Sequence, residues 1–111
     1  MIKVVVCGAL GRMGGTVARL VSEASDLELA GGLDVRAGTA FGAEVFPSGE
    51  IDRLLAEKKP DVLVDFTVAA AAVGNVKAAA KHGVACVVGT TGFTPKQRDE
   101  IKRAVESSVP A

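Results

Sequence analysis

Tryptophan and tyrosine are both absent from this 111-residue chain, which leaves four phenylalanines as its only aromatic side chains. A stacking platform for single-stranded nucleic acid therefore has little to be built from. Net charge is missing as well, because thirteen basic and thirteen acidic side chains cancel. Neither nucleic acid nor an anionic membrane surface is suggested as a partner. With one histidine, His82, and two cysteines, Cys7 and Cys86, there is no ligand spacing for a structural metal. The two thiols read as small buried hydrophobes of an intracellular chain. No apolar stretch approaches the roughly 20 residues of a membrane helix, and the first run, 4–7, is too short for a signal peptide. The expectation is a cytoplasmic protein.

What is present is apolar bulk: 49% of residues against 23% charged. Residues 1–111 read as one domain, long enough to bury roughly two-thirds of its unfolded surface. Short apolar runs at 2–7, 27–33, 62–64 and 84–88 alternate with segments of helical period, which is the pattern of β-α-β units. IKVVV, DVLVDF and VACVV are continuous rather than alternating, as strands covered on both faces should be. The spacing predicts helices near 13–25, 50–58 and 70–82, and a fourth opening at Thr94. Val17, Leu20 and Val21 form the stripe of the first, and Ile51, Leu54 and Leu55 that of the second, which Pro60 stops. Gly83 suits the left-handed position after the third. Thr94, Pro95 and Gln97 make a capping box for the fourth, whose apolar face is Ile101, Ala104 and Val105. Alanines at 69–72 and 78–80 are helix formers that allow close approach to a sheet. The segment VRAGTAFGAEVFPSG, 35–49, reads as the one extended irregular loop. The class is α/β, a doubly wound parallel sheet.

Between the first strand and the first helix stands GALGRMG, a G-x-x-G-x-x-G turn. Its front spacing is one residue longer than the usual dinucleotide fingerprint, while Gly11 and Gly14 keep the last spacing. Gly8 would end the strand, Gly11 would clear a pyrophosphate at the helix N-terminus, and Gly14 would let the helix pack on the sheet. The bland alternative is a tight turn with no ligand. Twenty residues beyond Gly14, Asp34 ends the second strand, where an acid accepts hydrogen bonds from ribose hydroxyls; otherwise it is a surface carboxylate. Arg36 on the same loop would pair with a ribose 2′-phosphate, making NADH and NADPH both plausible, or is a solvated loop charge.

The turn GALGRMG, the strand end Asp65-Phe66-Thr67 and the segment Gly89-Thr90-Thr91-Gly92-Phe93 follow the order and spacing of one family. Together they resemble the cofactor domain of dihydrodipicolinate reductase, also called 4-hydroxy-tetrahydrodipicolinate reductase, over essentially the whole chain. That resemblance implies a Rossmann-type domain and reduction of an unsaturated heterocyclic dicarboxylate in lysine and diaminopimelate biosynthesis. NADH or NADPH would be the hydride donor and a homotetramer the assembly. Carried over by position, Gly8, Ala9, Leu10, Gly11, Arg12 and Met13 would surround the pyrophosphate and Asp34 the adenosine ribose. Gly89, Thr90 and Thr91 would lie near the nicotinamide, with Phe66 and Thr67 lining the same crevice. Asp65 either touches cofactor or braces a loop.

Two departures stand out. Val68-Ala69-Ala70 replaces the proline and acidic residue common in the family. The family chain also continues into a hinge and a second domain with the substrate-binding basic residues, the proton donor and the tetramer contacts. Ending at Val109-Pro110-Ala111, this chain reads as the cofactor half, inactive alone, its dicarboxylate bound through the missing domain. No catalytic residue is named: capping explains His82, Lys77 and Lys81 look like a solvated face, and the thiols are offset along their strands, against a disulfide. The competing readings are a nucleotide-sensing or CoA-binding module without chemistry, and a methyltransferase domain. A second glycine-threonine loop at the fourth strand suits a nicotinamide better.

Overall fold

Of the continuous apolar runs, IKVVV and DVLVDF become inner strands of one sheet, while VACVV, expected to be covered on both faces, becomes an exposed edge strand with Val87 57% exposed, in the computed structural model, which describes residues 1–90 and 92–108, the last five of these by backbone alone. In chain order the elements are β1 (Ile2–Cys7), α1 (Arg12–Glu23), β2 (Leu27–Asp34), β3 (Gly38–Ala40), β4 (Ala43–Pro47), α2 (Ile51–Lys58), β5 (Val62–Asp65), α3 (Ala69–Lys81), β6 (Ala85–Val88) and α4 (Pro95–Ser108). A short 3-10 turn, Ser48–Glu50, leads into α2. The strand order is β3-β4-β2-β1-β5-β6, with every pairing parallel except that of β3 with β4. From β4 to β6 this is the arrangement of Rossmann-type folds, in which strand order reverses beside β1.

Side-chain alternation along β1 assigns the two halves of the core. Val5 and Cys7 join Leu33, Phe46, Leu54, Leu55, Leu63 and Ala79 on one face, and Val4 and Val6 join Ala18, Val21 and Val45 on the other. Helices α2 and α3 cover the first face and α1 the second, so β1 is buried on both and needs apolar residues at every inner position. The stripe of α1 is Gly14, Ala18 and Val21; Leu20, expected on it, is 54% exposed because it lies on the outer flank.

Residues 35–49 are not the irregular loop expected. They form the β3–β4 hairpin, and β4 extends the parallel sheet by pairing with β2. Phe41 (φ 49°) and Gly42 (φ 84°) make its two-residue turn, both left-handed, the geometry whose twist matches the flanking strands. Burial of Ala43, Val45 and Phe46 holds it to the sheet.

The helix ends follow the expected chemistry. After α3 the chain turns at Gly83 (φ +70°), with Val84 N–H donating to Ala79 O and Gly83 N–H to Ala80 O. The capping box of α4 is formed: Thr94 N–H donates to Gln97 Oε1 at 2.9 Å and Gln97 N–H to Thr94 Oγ1 at 3.2 Å. Ile101 on its apolar face is half-buried, whereas the side chains of Ala104 and Val105 lie outside the described residues. Lys77 and Lys81 are more than a solvated face, since Lys77 Nζ donates to Glu100 Oε2 at 2.9 Å and Lys81 lies 3.8 Å from Asp52. They tie α3 to α4 and to α2. Among the described residues no helix is long and apolar enough to cross a membrane.

Candidate functional site

The carboxyl ends of β2, β1, β5 and β6 open on one edge of the sheet, where a parallel fold places its ligands. The glycine turn is built there by borrowing partners from β2. Gly8 N–H donates to Leu33 O at 2.7 Å, Ala9 N–H to the same oxygen at 3.3 Å, and Leu10 N–H to Asp34 Oδ2 at 2.8 Å. Gly8 takes φ +86°, and a Cβ there would stand 2.6 Å from the Phe66 carbonyl oxygen. A Cβ on Gly14 would overlap the Gly8 carbonyl, so this glycine, expected to let the helix pack on the sheet, lets the start of α1 close onto the turn that ends β1.

Past the turn, Gly11 is the N-cap of α1 in extended conformation and the first turn of the helix holds no acid. Gly15 N–H makes the first intrahelical bond, to Gly11 O at 2.8 Å. Among the described residues no side chain caps the N–H groups of Arg12, Met13 and Gly14. Such a terminus carries about half a positive charge and attracts an anion. A Cβ on Gly11 would meet only Gly8 O, at 3.4 Å, so its outer side is open to close approach.

Two crevices flank the segment Phe66-Thr67-Val68. The first, about 320 Å³, is lined by Gly8, Gly11, Asp34, Val35, Thr67 and Val68, among others. Met13, Phe66, Thr67, Val68, Gly89 and Thr90 line the second, also about 320 Å³. A methyl group on Gly89 would overlap the Phe66 ring, which would have to turn aside to admit it. Most of the expected site residues therefore meet at one edge. Ala9 turns its side chain into the core, leaving only its backbone at the turn, while Leu10, Arg12 and Arg36 are exposed and line neither crevice. Thr91 lies outside the described residues.

Asp34 is not a loose surface carboxylate: besides Leu10 N–H it accepts Val35 N–H at 2.7 Å, one bond to each oxygen, which leaves acceptor sites on both. Asp65, last residue of β5 and fully buried, is a brace. Its Oδ1 accepts Thr67 Oγ1 at 2.7 Å, Thr67 N–H at 3.0 Å and Thr90 Oγ1 at 2.7 Å, and its Oδ2 accepts Asn75 Nδ2 at 2.7 Å. Sequence reasoning missed Asn75, whose signal was a polar residue on the buried stripe of Ala72, Val76 and Ala79. Neither thiol is in a disulfide, and β5 separates their strands. Burial pushes the Cys7 thiol far up, with the Asp65 charge adding to it, and the same causes push Cys86 up to about 11. Neither is an activated nucleophile. His82 follows α3, ahead of the start of β6, with Nε2 3.0 Å from Asp52 Oδ1 of α2, and it lines neither crevice.

The family model described as "Dihydrodipicolinate reductase, N-terminus" matches residues 2–111. A curated 4-hydroxy-tetrahydrodipicolinate reductase of Methanoculleus marisnigri is 65% identical over 111 residues, covering 100% of this chain and 44% of that protein. The one from Methanoregula boonei is 61% identical with the same coverage. Among solved structures, a dipicolinate-bound dihydrodipicolinate reductase from Paenisporosarcina sp. TG-14 has TM-score 0.82 and 26% identity, over 97% of this chain and 44% of that one. The chain thus spans less than half the length of the curated relatives it matches.

Proposed function

Because the chain belongs to the dihydrodipicolinate reductase family, in its N-terminal part, we propose that it is the NAD(P)H-binding half of a cytoplasmic 4-hydroxy-tetrahydrodipicolinate reductase. One observation carries the reading: the uncapped start of α1, the Asp34 carboxylate and the Gly89-Thr90 loop face two crevices divided only by Phe66-Thr67-Val68. That is room for the two halves of a dinucleotide with an anion site between them. Gly11, Arg12 and Met13 would hold the pyrophosphate, their N–H groups supplying what its charge needs. Asp34 would accept from the adenosine ribose, and Arg36 would meet a 2′-phosphate where NADPH is used. Thr67, Gly89 and Thr90 would wall the nicotinamide. When bound, the reduced cofactor supplies a hydride, while the protein supplies position and electrostatics.

The solved relative binds dipicolinate, which supports a small heterocyclic dicarboxylate as the acceptor. In our reading that molecule is held by a second domain, which also carries the contacts of a homotetramer. Calorimetric titration of the chain with NADH and NADPH tests the core of this. Binding of either, with NADPH selectively weakened in Arg36→Ala, is the expected result. A folded chain that binds neither would remove the proposal.

A further inference from the structure

Asp65 is fully buried behind Thr67 and Thr90, which line the second crevice, and its hydrogen bonds fill the acceptor sites of a carboxylate. The amide nitrogen of Asn75 donates to one carboxylate oxygen and the N–H of Thr67 to the other, so the group accepts on both sides. With the hydroxyls of Thr67 and Thr90 it collects four bonds of 2.7 to 3.0 Å from the loop after β5, the loop after β6 and α3. Its backbone oxygen also accepts Gly89 N–H at 2.8 Å. All these donors are neutral, and no cation pairs with Asp65 among the described residues. Its negative charge is therefore solvated by fixed dipoles rather than cancelled.

We propose that Asp65 is a positioning residue for the nicotinamide: it sets the Thr67 and Thr90 hydroxyls and both loops around the crevice, and its charge favours the oxidised, cationic ring over the reduced, neutral one. The inference rests on the dinucleotide reading above. A brace alone would favour neither redox form, whereas a fixed charge buried behind Thr67 and Thr90 discriminates between them.

Dissociation constants for NAD⁺ and NADH, with thermal melts, would be measured for the wild type, Asp65→Asn, Thr90→Val and Thr90→Ser. Asp65→Asn is expected to weaken NAD⁺ more than NADH, shifting the ratio of the two constants about three- to tenfold. Partial unfolding weakens both alike and leaves the ratio unmoved. Thr90→Val is expected to weaken both forms about three- to tenfold by releasing the β6 loop, with Thr90→Ser restoring them. An unchanged ratio in Asp65→Asn overturns the proposal. Should that variant not fold, wild-type affinities in Thr90→Val overturn it instead. A folded wild type that binds neither form defeats the dinucleotide reading itself, and this inference with it.

Discussion

The carboxylate of Asp34 bonds the backbone N–H of Leu10 at 2.8 Å, so the end of β2 and the middle of the glycine turn form one corner. The residue proposed to meet the ribose is also part of the frame that shapes the phosphate site. Asp34→Ala should then do more than change cofactor preference. Losing a charge-assisted bond of about 1.5–3 kcal/mol loosens the turn, and NADH binding should fall about tenfold or more. NADPH should weaken as well, despite removal of a like charge near its 2′-phosphate. Calorimetry on the variant decides it: NADPH binding tighter than wild type would mean that the Leu10 contact is dispensable.

Two glycines in helices should respond oppositely to the same change. A methyl group on Gly14 meets the Gly8 carbonyl, backbone that cannot move without opening the turn. Gly14→Ala should cost about 2–3 kcal/mol, or more if the turn rebuilds. Gly74 in α3 faces open space. There alanine should stabilise by about 0.5–1 kcal/mol through a less flexible unfolded chain. Urea melts of both variants give the comparison, and equal effects would contradict the packing of α1 on the turn.

Strands buried on both faces and helices with chemical end signals were legible in the sequence. β1 is a continuous apolar run because helices cover both sides, whereas the equally apolar 84–88 forms the exposed edge strand β6, and Gly83 and the Thr94–Gln97 box mark helix ends by local bonding alone. The β3–β4 hairpin was not legible. Its turn is Phe41-Gly42 rather than an asparagine or aspartate before glycine, and only burial of Val45 and Phe46 beside β2 makes a strand of so short a segment.

For the site, sequence spacing identified the glycine turn and Asp34, since motif and strand end are neighbours in any such fold. The role of Asp65 depends on partners ten and twenty-five residues away, Asn75 and Thr90, which meet only once α3 and β6 are docked. Gly14 shows the same limit. Its spacing marked a close approach, yet what it approaches is the carbonyl of Gly8, a contact set by the path of the turn.

Both thiols should make the fold sensitive to alkali. Burial and the Asp65 charge raise them, Cys86 to about 11 and Cys7 further. Above the ordinary thiol value of about 8.5, unfolding releases protons that the folded state retains. Stability is therefore full below that pH and falls as pH rises toward and through 11. Native Cys86 should also alkylate about a hundredfold slower at pH 8 than in urea. Melts from pH 7 to 10.5 on the wild type and on Cys86→Ala provide the check: the variant should lose part of the slope, and identical slopes would rule out Cys86 as a source.

At the other end of the pH scale, the bond from Lys77 Nζ to Glu100 Oε2 should be visible in a titration curve. That bond, then the lysine charge, holds the Glu100 carboxyl below the ordinary glutamate range, with Lys96 and Arg103 adding less. A depressed carboxyl contributes stability above its unfolded value and loses it as pH falls through the folded one. The pair is on the surface, where ion pairs add little to global stability, so a melt is the wrong readout. NMR titration of Glu100 should give a midpoint below that of an unpaired glutamate in the wild type and an ordinary one in Lys77→Met. Amide exchange in the first turns of α4 should quicken in the wild type as acid protonates Glu100, and show no such step in the variant. A Glu100 midpoint indifferent to Lys77→Met would mean that α3 and α4 are held together by their apolar contacts alone.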